Sequence, residues 1–136
     1  MADVTITAAN VIAGEGAEIE HGIAGATETA GQALYRDEAD SRLKVADNDG
    51  AAAVRKVRGL ALNGAANGQR MAIIRRGPVT IGGTLVAGTT YCLSSSPGAI
   101  CPQTDVATGD DVVIIGVALT TAILNVAIQH PGVTLA

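Results

Sequence analysis

The sequence predicts an all-β domain, a small jelly-roll-like or Greek-key sandwich or barrel built from two related halves with at most one short helix. Three observations predict it. Short runs alternate apolar and polar residues with period two. Turn signals separate these runs at intervals of roughly 8–12 residues. Two blocks recur at one spacing: Ala30-Gly31 returns as Ala87-Gly88, and Gly59-Leu60-Ala61-Leu62 as Gly116-Val117-Ala118-Leu119, both 57 residues later. Val79-Thr80-Ile81 and Val133-Thr134-Leu135 match at an offset of 54, so a three-residue deletion is expected in the intervening turn. The repeat is expected over 30–81 and 87–135, with the apolar faces of the two copies packed together about an approximate two-fold axis.

Each element follows from local chemistry. Val4-Thr5-Ile6-Thr7 alternates as a half-buried strand does, and Glu18-Ile19-Glu20-His21 and 32–36 alternate more weakly. Arg42-Leu43-Lys44-Val45 places two basic residues on a solvent face, and Asp47-Asn48-Asp49-Gly50 ends that strand. Residues 51–56 form the one expected helical turn, with alanines as helix formers and Asp49 as its cap. Strands are expected near 56–63, 69–76, 78–86, 89–94, 99–102, 112–119 and 122–129. Asn63-Gly64 and Asn67-Gly68 supply the turn in the first copy, and Thr120-Thr121-Ala122 the shorter turn in the second.

The 136 residues fit one domain, and 48% hydrophobic against 16% charged residues excludes a chain disordered throughout. Residues 1–29 lie outside both copies and form an acidic arm or edge segment. Residues 30–136 form the β domain. Phe and Trp are absent and Tyr35 and Tyr91 are the only aromatics, so the core is thin and a lattice component or oligomer fits the composition.

Charge is zoned. All nine Lys and Arg lie between Arg36 and Arg76, within a net charge of −4. An acidic chain nearly free of aromatics lacks the basic groove and stacking platform of a single-strand binder, so nucleic acid is not an expected partner. Arg55, Lys56, Arg58, Arg75 and Arg76 could meet an acidic partner surface, or simply be the solvated face of strands and turns. Glu15, Glu18 and Glu20 could meet basic residues on a neighbouring subunit, with the arm either mobile or ordered only on binding.

No chemistry beyond binding is indicated. Cys92 and Cys101 flank Ser95-Ser96-Pro97-Gly98, and a four-residue loop sets them opposite each other, as a disulfide or as two buried thiols. His21 and His130 are far from both cysteines, so no metal site is expected. Ser94-Ser95-Ser96 has no neighbouring base, Gly82-Gly83-Thr84 lacks the phosphate-loop lysine, and Asp110-Asp111 would need a cleft, so neither catalysis nor a cofactor is expected. The uncharged run from Val112 to Gln129 reads as two strands and a turn, since Gly116, Thr120 and Asn125 interrupt it, so no membrane association is expected. The acidic opening Met1-Ala2-Asp3 carries no basic leader, which predicts synthesis in a cytoplasm.

Residues 30–35, Arg58-Gly59-Leu60-Ala61-Leu62-Asn63, the block 87–94 and the run 113–119 resemble the capsid cement, or decoration, proteins of tailed double-stranded DNA bacteriophages. The resemblance covers about residues 30–136. It implies a non-enzymatic protein on the outer surface of the assembled head, made in the bacterial host cytoplasm. It further implies a partner in the major capsid protein, dimers or trimers on the shell, and stapling of adjacent capsomers against internal DNA pressure. Stapling of this kind is multivalent, so weak single contacts suffice. The alternative is a β-rich module of a head or tail fibre that attaches to the host surface.

Overall fold

The structure is a computed structural model and describes residues 3–135. The protein is all-β: a curled antiparallel sheet forms a half-barrel, and the helix among the described residues is confined to 3₁₀ turns. Ten strands make up the sheet: β1 Ile12–Ala13, β2 Glu18–Ile23, β3 Ala33–Arg36, β4 Leu43–Val45, β5 Val57–Ala61, β6 Arg70–Thr80, β7 Thr90–Leu93, β8 Ile100–Pro102, β9 Ile114–Ala118 and β10 Ile123–Gln129. The strand order β4-β3-β5-β6-β10-β9-β7-β8 reads the same from either end once the copies are exchanged.

The pairing registers coincide under a shift of 57 residues. Leu34 opposite Val45 and Tyr35 opposite Lys44 become Tyr91 opposite Pro102 and Cys92 opposite Cys101. Ala33 opposite Leu60 and Leu34 opposite Gly59 become Thr90 opposite Val117 and Tyr91 opposite Gly116, and a bulge follows at the same rung in each. Two glycines explain why those blocks stand out in the sequence. A Cβ on Gly59 would lie 2.5 Å from the Ile74 carbonyl oxygen, and one on Gly116 would lie 2.1 Å from that of Asn125. Gly31 and Gly88 both turn at positive φ, and each donates its N–H to the strand behind it, to Ala61 and Ala118 respectively.

Beyond the turns the offset is 51, since Ile73 and Ile74 in β6 correspond to Leu124 and Asn125 in β10. The second turn is therefore six residues shorter, not three. The third sequence match is not structural: Val133-Thr134-Leu135 lies past β10 and bonds back to Asp110 and Val112, with Thr134 bridging Asp111. Three aliphatic or β-branched letters are too few to mark an equivalent strand. Arg76 pairs with Ala127, its own equivalent at 51, so this rung lies on the approximate two-fold axis.

Other expectations shift. The expected strands 69–76 and 78–86 meet in one strand, β6, which ends at Thr80: the chain passes Gly77 at positive φ without leaving the ladder, Pro78 accepts the Gly14 N–H at 2.7 Å, and residues 81–86 are not strand. Val4–Thr7 is no strand, although Val4 and Thr7 each donate one backbone bond, to Ile100 and Gly82. The turn at Ala52–Arg55 is 3₁₀, and Ala51 rather than Asp49 precedes it, without a side-chain cap. β1 and β2 run along β6 on the edge opposite β5 and β10, so these two strands of the N-terminal segment lie in the sheet. The run 112–129 contains the β9–β10 hairpin, and no helix among the described residues is long and apolar enough to cross a membrane.

The two copies turn opposite sides of the same ladder to the main core. Leu34, Leu43, Ala61 and Ile73 fill a small cluster of the first copy with Met71, Ala24 and Ala65. Their equivalents Tyr91, Ile100, Ala118 and Leu124 lie in the main core, against Leu60 and Ile74 of the first copy. Tyr91 is the large filler there, and its hydroxyl accepts the Val86 N–H at 2.9 Å.

Candidate functional site

Because the first copy turns its other side to the main core, the face beyond its small cluster is left polar. Arg36, Arg58 and Arg75 stand where the second copy has Leu93, Ile115 and Val126, all 0% exposed. Glu20 from β2 reaches the same face because its rung opposes Ile73 of β6. Arg58 donates to it fork to fork, Nε to Oε2 at 2.9 Å and Nη2 to Oε1 at 2.8 Å. Arg36 Nη2 donates to Oε2 at 3.2 Å, and Arg75 Nη1 lies 3.6 Å from Oε1. The Arg58 bonds chiefly, with the charges of all three arginines, hold the Glu20 carboxyl below its ordinary range against the opposing effect of burial. Glu20, expected to meet a neighbouring subunit, is thus committed within its own chain.

Around this cluster lie two cavities of similar size that share Arg58. One, of about 350 Å³, is lined by Glu18, Val57, Arg58, Arg75, Arg76, Ile128 and His130. The other, of about 360 Å³, is lined by Arg36, Glu38, Ser41, Lys56 and Arg58. His130 and buried Asp111 hydrogen-bond through Nε2 and Oδ2 at 2.5 Å, which fixes the imidazole at the wall. Three guanidiniums around one carboxylate leave positive charge in excess. Among the described residues Lys56, Arg70 and Arg76 enter no ion pair.

The structure gathers Lys56, Arg58, Arg75, Arg76, Glu18 and Glu20 at this cleft. Arg55 sits beside it, but its Nε donates to the Gly50 carbonyl at 2.8 Å, a structural bond. Glu15 stands apart, exposed in the β1–β2 turn. Sequence reasoning missed Arg36, Glu38 and the Asp111–His130 pair as parts of the cleft. The offset of 57 was a usable signal for Arg36, because it sets that arginine against an aliphatic Leu93.

Cys92 and Cys101 are opposed, as the loop length predicts, and both thiols are free and buried. Burial pushes the Cys101 thiol up to about 12 and raises that of Cys92, so neither is a ready nucleophile. No group of three metal-ligating side chains occurs among the described residues. No protein-family model matches the sequence, and no curated protein is similar to it.

Proposed function

We propose that this protein is a structural component of a tailed-phage head. On this reading it binds the outer surface of the assembled shell, staples neighbouring copies of the major capsid protein and performs no catalysis. The observation that supports this reading is the division of one ladder into two unlike halves. The first half carries every Lys and Arg and an open cationic cleft. The second half carries none, and Val86, Val117 and Leu119 are exposed on or beside it. A body with two chemically distinct surfaces suits simultaneous contact with two shell subunits, where each contact raises the effective concentration for the other. Assembly as a dimer or trimer would add further contacts of the same kinds.

Quantitative protein composition of purified virions tests the proposal, together with heat or osmotic challenge of heads stripped of this chain. Copy numbers equal to, or a simple fraction of, the shell subunit number, with stripped heads bursting sooner, are the expected result. A handful of copies per particle on heads that stay sound would assign the protein to a fibre and to host attachment instead.

A further inference from the structure

We propose that the cleft around Arg58 takes the carboxylates of an acidic peptide segment, and that Glu20 is an internal carboxylate that limits how tightly that segment binds. This rests on the reading of the basic face as the contact surface, and it names the chemistry of what is contacted. The guanidinium of Arg58 is held by a two-bonded fork, and Arg36 and Arg75 converge on the same carboxylate, so these side chains surrender little further freedom when a second anion arrives. The arginines are therefore arranged for carboxylate geometry and still carry excess positive charge. Arg76 in one cavity and Lys56 in the other are uncommitted donors on either side of Arg58.

Selectivity comes from the walls. Each cavity also presents one exposed carboxylate at its wall, Glu18 or Glu38. A nucleic-acid backbone brings a charge at every step and would place phosphate against both acids. An extended peptide advances about 3.3–3.6 Å per residue and can set carboxylates beside the cations while neutral residues pass the acids. Two openings of about 350 and 360 Å³ admit side chains with their local backbone. An acidic loop or terminus of a partner fits this description better than a polyphosphate.

The test titrates the full chain by calorimetry with an end-capped peptide of alternating Glu and Gly. The same peptide with Gln for Glu, inorganic phosphate and a short single-stranded oligonucleotide serve as comparators. Saturable binding of the Glu peptide is expected, with no binding of the Gln peptide. Arg76→Glu and Lys56→Glu, both at solvated positions, should each weaken the Glu peptide roughly tenfold or more, with circular dichroism unchanged. Glu20→Gln should tighten binding several-fold because the three arginines lose their internal partner. Equal binding of the Gln peptide, tighter binding of phosphate or oligonucleotide, or full affinity in Arg76→Glu would each overturn the proposal. Glu-peptide binding that persists in a protein absent from virions would leave the cleft standing and remove the shell reading alone.

Discussion

Leu34 and Tyr91 occupy the same rung of the two halves, opposite Val45 and Pro102, yet they face different surroundings. Leu34 lies in the small cluster of the first half, while Tyr91 lies in the core that both halves share. The inversion holds along the ladder, from Leu43 and Ile100 to Ile73 and Leu124. Pairing register and choice of buried side are thus separable properties. Register follows from where a glycine lets backbones approach and from turn length. The buried side follows from which face meets another layer, and the first half could accept arginines only where it faces solvent.

The largest effect should come from forcing the second half to resemble the first. Ile115→Arg places a guanidinium at the equivalent of Arg58, but inside the core, where no carboxylate awaits it. We expect loss of about 4 kcal/mol or more, seen as failure to fold or a collapse of the denaturant midpoint. An unchanged midpoint would mean that the side chain escapes to solvent and that the faces are not inverted.

Next come the glycines that both halves share. Gly59→Ala and Gly116→Ala each drive a methyl into a carbonyl oxygen, and each should cost about 2–3 kcal/mol in urea unfolding. A tolerant site in one half would break the equivalence of the ladders.

A third comparison sets Glu28 against Leu85, each three residues ahead of the turn glycine of its copy. Glu28 is 2% exposed and neither carboxyl oxygen reaches hydrogen-bonding geometry, whereas Leu85 is an ordinary core residue. Burial, opposed only by the nearby Gly25 backbone, pushes the Glu28 carboxyl up to about 7. The folded state therefore holds this proton more tightly than the unfolded state does. That stabilisation is complete below about pH 4.5 and fades as pH rises through 7. Glu28→Gln should remove the slope and leave the variant more stable than the parent above pH 7, by on the order of 2 kcal/mol, measured as denaturant midpoints across pH. Parallel pH profiles for parent and variant would show that the parent carboxyl is not held protonated.

The smallest effect belongs to the exposed side of the comparison. Arg58→Ala removes the two-bonded fork on Glu20, but both partners keep contact with solvent, so about 1 kcal/mol is expected. The depressed Glu20 carboxyl makes this contribution present above its ordinary range near 4.5 and lost as pH falls through its folded value. At acidic pH parent and variant should therefore converge in stability.

The repeat was legible because its glycines are required by backbone contacts that recur 57 residues apart. The opposition of Cys92 and Cys101 was legible because loop length fixes register locally. Which side of the ladder meets the main core was not, since Leu34 and Arg36, two residues apart in β3, share one face that reads as neither wholly apolar nor wholly polar. Nor was the fate of Glu20, because pairing of β2 with β6 joins segments some fifty residues apart. Lys56, Arg58, Arg75 and Arg76 could be grouped as a basic zone. Their convergence with Arg36 and His130 depended on strands returning to the two-fold rung at Arg76.

The claim that the basic half is the contact surface is tested most directly by co-sedimenting the protein with stripped, assembled heads at about 0.1 M salt, with the Lys56→Glu/Arg76→Glu double variant in parallel. The parent should pellet with heads and be released as salt rises toward about 1 M, while the variant stays in the supernatant. Equal retention of parent and variant would contradict it.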